Sequence, residues 1–193
     1  TARALADYAK TIDTRMQVHV SETKLEHEEC IARHGKTPAA YLEETGIFDV
    51  PAVAAHCVHA TEEDLEIFRR KGVTVAINPV SNMKLDSGIC NGGRLLREGV
   101  QVAIGTDSVA SNNSLNFIEE MKLMAIGGKI AADDPTAVTP EEVIRAATQG
   151  GARSQGRYDC GAIKAGNRAD VIVMDLSVPN MHPVHNMTNN IVY

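Results

Sequence analysis

Residues 100–113 read VQVAIGTDSVASNN. Val100, Val102, Ala103 and Ile104 make an apolar run interrupted only by Gln101, which predicts a buried strand. Gly105-Thr106 closes the run, and Asp107 stands just beyond it. In parallel α/β folds, ligands bind at the rim formed by the carboxyl ends of the strands. A carboxylate directly after an apolar strand is costly unless it has a partner. Its competing role is to cap the next helix, but Ser108, Ser111 and Asn112 are available for that. Two earlier apolar segments end similarly, in His19 (MQVHV, 16–20) and in His56 (VPAVAAHC, 50–57). Three strand ends therefore offer imidazole, imidazole and carboxylate to one region, a donor set that zinc accepts.

Outward from this stretch, strands are expected over 16–20, 50–57, 73–78 and 100–104. Helices are expected over 2–10, 24–33, 38–44, 65–71, 94–98, 114–126 and 143–148, with Thr61 to Asp64 and Thr139 to Glu142 as capping runs. Residues 79–93 read as a long polar loop, and Gly150-Gly151 as a helix break. From Gly161 the character changes: Val171 to Met174 reads as a strand, and 190–193 as the beginning of another. Four strand–helix units in a row predict an α/β fold with a parallel sheet. They amount to half of an eight-stranded (β/α)8 barrel over residues 1–160, with 161–193 opening a small β appendage. An open doubly wound sheet is the competing architecture. No glycine-rich fingerprint follows an early strand, so a dinucleotide fold has little support.

The net charge of −6 and the absence of a basic run argue against nucleic acid as the main partner. No apolar stretch approaches a membrane span, and no signal peptide is visible. The opening TARALADYAKT lacks an initiator Met and reads as mid-helix, so an excised piece is expected. Cys30, Cys57, Cys90 and Cys160 form no Cys-x-x-Cys pair, which makes a thiolate zinc knuckle improbable and suits free thiols in a cytoplasmic location.

Three groups stand out as carriers of chemistry. His19 can bind a metal, and Glu22, three residues on, can lean over the same spot and shuttle protons; alternatively they are an exposed His and a helix-capping Glu. His56 is read as pointing inward, although a satisfied core His would look the same, while His59 is read as a surface or supporting residue. Asp107 is the strongest of the three. Residues 78–88 and Ser111-Asn112-Asn113 would line the mouth, or simply satisfy their own backbone. His27 and His34 are expected to be solvated, His182 and His185 to be structural or contacts to a missing segment, and Met121 and Met124 to lie in the core.

Four motifs occur in order: His19-Val20-Ser21-Glu22-Thr23, Ala55-His56-Cys57-Val58-His59, Asn78-Pro79-Val80-Ser81-Asn82-Met83-Lys84-Leu85, and Gly105-Thr106-Asp107-Ser108 with Ser111-Asn112-Asn113. Together they resemble the amidohydrolase superfamily, most closely the 5-methylthioadenosine/S-adenosylhomocysteine deaminases. The segment 166–173 (GNRADVIV) resembles the return of that family's chain to its small β domain. The resemblance implies the C-terminal half of a TIM-like barrel, strands 5–8, with one zinc or other divalent metal at its mouth. It implies His19 and Asp107 as metal ligands, and Glu22, His56 and Asp107 as catalytic groups, with Glu22, Asn82 and Ser108 touching substrate. The implied reaction is hydrolytic deamination of an adenine-type nucleoside: a hydroxide activated by the metal attacks C6, Glu22 protonates the ring and ammonia leaves. Another aminopurine deaminase, a triazine chlorohydrolase or a non-catalytic half-barrel are the alternatives. The His-x-Glu and Pro-Cys-x-x-Cys signature of the Cys-rich zinc deaminases is absent.

One departure is large. The family's first-strand His-x-His pair is nowhere in these 193 residues. His19 and Asp107 are then only part of a three-ligand catalytic shell, so the chain alone is expected to be inactive or to bind metal weakly. It is also expected to homo-oligomerise or to associate with a missing N-terminal half, because half a barrel leaves two sheet edges open. The partner at the site would be a small nucleoside, with neither nucleic acid nor membrane involved.

Overall fold

The structure is a computed structural model that describes residues 2–193. In chain order its elements are α1 (Ala2–Thr11), β1 (Met16–Val20), α2 (Lys24–His34), α3 (Pro38–Glu44), β2 (Ala52–His56), α4 (Glu62–Lys71), β3 (Thr74–Ile77), α5 (Pro79–Lys84), α6 (Gly92–Arg97), β4 (Gln101–Ile104), α7 (Val109–Asn112), α8 (Phe117–Ala132), α9 (Pro140–Arg145), α10 (Gly151–Ser154) and α11 (Met187–Val192). The strands form one parallel sheet in the order β1-β2-β3-β4. All four carboxyl ends therefore reach the same side, and the expected rim exists. Among the described residues, β1 and β4 each have one ladder partner.

Local chemistry sets the helix limits. Thr61 caps α4 in a reciprocal box with Asp64, and Gly72 ends it in the left-handed region. Thr139 and Glu142 form the same box on α9, with Pro140 in the first turn, where no N–H is needed. The alternate strand residues Val20, Ala54, Val75 and Val102 join Leu65, Phe68, Leu95 and Met124 in one core between sheet and helices. Met121 and Met124 lie in that core as expected.

Several expectations fail for identifiable reasons. Residues 79–84 form α5, because Pro79 presets the first turn and Ser81 and Asn82 turn their polar groups into the protein. The helical path does not break at Gly150-Gly151. A widened π turn at Ala146–Gly150 carries it into α10, both glycines having helical backbone angles. His27 is not solvated: it is buried, with Nδ1 2.9 Å from Ser21 Oγ. Val171, Ile172 and Val173 form no strand; they are exposed and no neighbouring segment offers a ladder. The end of the chain is the helix α11 rather than a strand. No helix among the described residues is long and apolar enough to cross a membrane.

All four cysteines are free thiols; Cys57 and Cys90 are buried, and Cys30 and Cys160 partly exposed. Burial pushes the Cys57 thiol well up and the Cys90 thiol up to about 12. Burial raises the Cys30 and Cys160 thiols as well, so access to the reagent makes the difference: a maleimide at neutral pH should label Cys30 and Cys160 in the folded protein and all four only after denaturation. Intact mass and peptide mapping read this directly, and rapid native labelling of Cys57 or Cys90 would contradict the packing described.

Candidate active site

The inner face of the sheet lines a cavity of about 380 Å³ whose walls include Gln17 and His19 of β1, Val53 and Ala55 of β2, Ala76 of β3 and Ala103 of β4, with Asn78, Gly105 and Asp107 just beyond the last two strands. These positions follow the alternation of a pleated strand. His19 is thus inward-facing by register, and so is Asp107. His56 is not: it pairs with Val20, whose side is turned to the helices. His56 has φ +73, and this left-handed residue breaks the alternation and swings its ring over the rim. The imidazole lands stacked on that of His19, with centroids 5.3 Å apart.

Backbone strain gathers at the same edge. Ser21, His56, Cys57 and Asp107, all next to strand ends, have φ between 49° and 73°. For residues other than glycine each costs about 1–3 kcal/mol, a cost commonly met where function fixes the geometry. Glu22 does not cap the following helix; Thr23 does. The Glu22 backbone N–H instead donates to Glu26 Oε2 at 2.7 Å, which leaves the Glu22 carboxylate free to face His56. Glu22 Oε2 lies 3.6 Å from His56 Nε2, too far for a hydrogen bond but close enough for one ligand to touch both. One ligand atom from each of His19, Glu22 and His56 falls within 4.8 Å of the others.

Asp107 lies outside that tight group but lines the same cavity as His19. Its Oδ2 accepts from Ser81 Oγ at 2.6 Å and from Ser111 Oγ at 2.8 Å. Burial pushes its carboxyl up, but the two serine hydroxyls, the Ser108 amide and the nearby His56 together outweigh that, so it sits below the usual carboxylate range and is ionised at neutral pH. Ser108 caps α7, the role that frees Asp107 from capping, and it is exposed at the mouth. Asn82, expected at the substrate, is buried against the imidazole: its Oδ1 is 2.7 Å from His56 Nδ1, and Asn78 Nδ2 is 3.3 Å from the same atom. Gly105 permits this, because a Cβ there would overlap the Asn78 carboxamide oxygen. His59 is a fastening residue, with Nε2 2.9 Å from the Ser87 carbonyl oxygen. His34 stacks on Tyr41, away from the cavity walls. The parts that sequence reasoning missed are the grips of Ser81 and Ser111 on Asp107 and of the two asparagines on His56. All four lie inside motifs already singled out.

The model of the amidohydrolase family matches residues 1–193. The chain belongs to the amidohydrolase family. A 5-methylthioadenosine/S-adenosylhomocysteine deaminase from Desulforudis audaxviator is 46% identical over 186 residues, covering 96% of this chain and 43% of that protein. The crystal structure of an adenosine deaminase from Xanthomonas campestris with bound zinc superposes on all of this amidohydrolase chain with a TM-score of 0.95 at 35% identity, and is itself covered to 44%. The zinc complex of the atrazine chlorohydrolase TrzN from Arthrobacter aurescens TC1 gives a TM-score of 0.90 at 27% identity, over 99% of this chain and 42% of that one. The chain thus spans less than half the length of each of these relatives.

The residues present fit a divalent metal in part. His19 and the ionised Asp107, lining one cavity, are nitrogen and oxygen donors of the kind zinc takes, and Glu22 and His56 each place an atom within 4.8 Å of a His19 ring nitrogen. No His-x-His occurs among the seven histidines.

Proposed function

We propose that this chain is the C-terminal part of a metal-dependent aminohydrolase that removes the amino group from C6 of an adenine-type nucleoside such as 5'-methylthioadenosine or S-adenosylhomocysteine. The observation that carries the reading is the convergence of His19, Glu22 and His56 at the mouth of a cavity that they share with Asp107 through His19. In this reading the four parallel strands are strands 5–8 of a (β/α)8 barrel, and 161–193 lead towards a small β domain. The parent protein then supplies the remaining strands and the His-x-His ligands upstream. Coverage of 43–44% of the relatives' lengths supports that division. Identity of 46% to a deaminase against 27% to a chlorohydrolase favours an amino over a chloro leaving group.

His19 and Asp107 would hold the metal together with the upstream imidazoles. Bound there, the metal would supply the Lewis acidity that makes water a nucleophile at neutral pH. Glu22 takes a proton from the attacking water and delivers it to the adenine ring nitrogen next to C6. His56, its ring fixed by Asn82 and Asn78, presents Nε2 to the water and orients it. Asp107, ionised, accepts the second proton, which leaves with the amino group as ammonia. The inward faces of Val53, Ala55, Ala76 and Ala103 lie below the rim, where the side chains of the remaining strands would pack against them, so the substrate is placed above them, at the strand ends.

The test is Asp107→Ala in the parent protein. Turnover of 5'-methylthioadenosine should fall by roughly 10³-fold or more, and zinc content measured by plasma emission should fall with it. Turnover retained by this variant would refute the assignment.

A further inference from the structure

Glu120 has no part in the chemistry above, yet it is 1% exposed. It lies in the first turn of α8, and the described residues place no Lys or Arg in an ion pair with it. Its Oε2 accepts from the Val80 backbone N–H at 3.0 Å, at the start of α5. Its Oε1 accepts from Asn112 Nδ2, in α7. Asn112 Nδ2 also donates to the Thr106 carbonyl at 2.7 Å, one residue before Asp107. One carboxylate therefore joins two segments that are far apart in the chain. The segment 79–84 supplies Ser81 to Asp107 and Asn82 to His56. The segment 106–112 carries Asp107 itself and Ser111.

We infer that Glu120 is a positioning residue whose buried carboxylate locks α5 to the Asp107 loop and so fixes His56 and Asp107 relative to each other. The inference rests on the aminohydrolase reading only in giving His56 and Asp107 their roles; the lock itself is a matter of geometry. Energetics support it. A buried carboxylate without a cation is a poor stabiliser, and an apolar side chain of similar volume is usually neutral or better in such a place. Both oxygens face donors, so neither glutamine nor methionine can reproduce the bridge: Gln keeps one acceptor and turns an NH₂ towards a second donor. The helix N-terminus favours the charge, whereas burial pushes its carboxyl up against the pull of Val80 and Asn112.

Peptide-resolved hydrogen exchange of the protein decides the matter. In Glu120→Gln, residues 78–85 and 105–113 should both exchange about tenfold faster or more, while β2 and β3 keep their protection. Unchanged exchange in both segments would overturn the lock, and so would acceleration in 78–85 alone, which would make Glu120 a simple cap for α5. Asn112→Ala is the second variant, in case Glu120→Gln loosens the whole fold. It should accelerate 78–85, which Asn112 contacts through Glu120 while Ser81–Asp107 and the Lys84 bonds to Ala110 and Asn113 stay in place; no change there would also overturn the lock. None of these readouts uses deaminase activity, so failure of the proposed reaction leaves the test intact. In the parent protein Glu120→Gln should lower kcat by about tenfold with KM unchanged, and a rise in KM alone would contradict a positioning role.

Discussion

Glu22→Gln in the parent protein is expected to lower kcat for 5'-methylthioadenosine by roughly 10³-fold or more while KM and thermal stability stay nearly unchanged. A positioned proton carrier contributes typically 10²–10⁴-fold, and glutamine keeps the shape of the side chain but cannot carry the proton. The fold should not notice. Glu22 is held through its backbone N–H by Glu26, and the helix that follows is capped by Thr23. The carboxylate itself hangs over the rim 3.6 Å from His56 Nε2, so the substitution removes no core contact. A split between lost turnover and retained melting temperature is the signature. Steady-state kinetics with calorimetry measure both, and a variant that keeps even a tenth of wild-type kcat would remove Glu22 from the chemistry. Zinc content should hold, in contrast to Asp107→Ala, because Glu22 is assigned to the water and the ring rather than to the metal.

The sheet was legible because short apolar runs closed by turn residues are a local signal, and the rim followed from where each run stopped. His19 and Asp107 could be placed by counting along their strands. His56 could not: its register puts it on the helix side, and only the left-handed backbone at that residue brings its ring to His19. Such a turn is fixed by the packing of neighbouring elements and leaves no mark in periodicity. The same holds for α5, where Ser81 and Asn82 look like loop residues because their partners, Asp107 and His56, come from other strands. His27 looked solvated for want of sight of Ser21. Glu120 left a faint trace. It shares a helical stripe with Met121, Met124, Ala125 and Gly128, all buried, and an acid on an apolar stripe asks what it binds. Val171 to Val173 show the opposite limit, since β propensity without a partner strand makes no strand.

The helix break read at Gly150-Gly151 leads to the second large effect, one that separates two glycines adjacent in sequence. Both have helical angles, so neither is needed for backbone freedom. A Cβ on Gly151 would meet nothing within 4 Å, whereas one on Gly150 would overlap the Val102 carbonyl oxygen and stand 3.2 Å from its carbon and 3.4 Å from Ala103 Cα. That wall is the backbone of β4, fastened by its ladder to β3, so it has little room to retreat. Alanine at either site gains up to about 1 kcal/mol in helix propensity. At Gly151 nothing opposes the gain, and Gly151→Ala should leave the melting temperature unchanged or raise it by a few degrees. At Gly150 a steric cost of about 3 kcal/mol or more wins. With roughly 2–4 °C lost per kcal/mol for a chain of this size, a fall of several degrees or more is expected for Gly150→Ala. Equal melting temperatures for the two variants would mean that the helix does not press on the strand as described. Because β4 leads straight into Gly105 and Asp107, a displaced strand should also shift the carboxylate that Ser81 and Ser111 hold. The close approach of Gly150 therefore ties the packing of the π turn at Ala146–Gly150 to the placement of the candidate metal ligand.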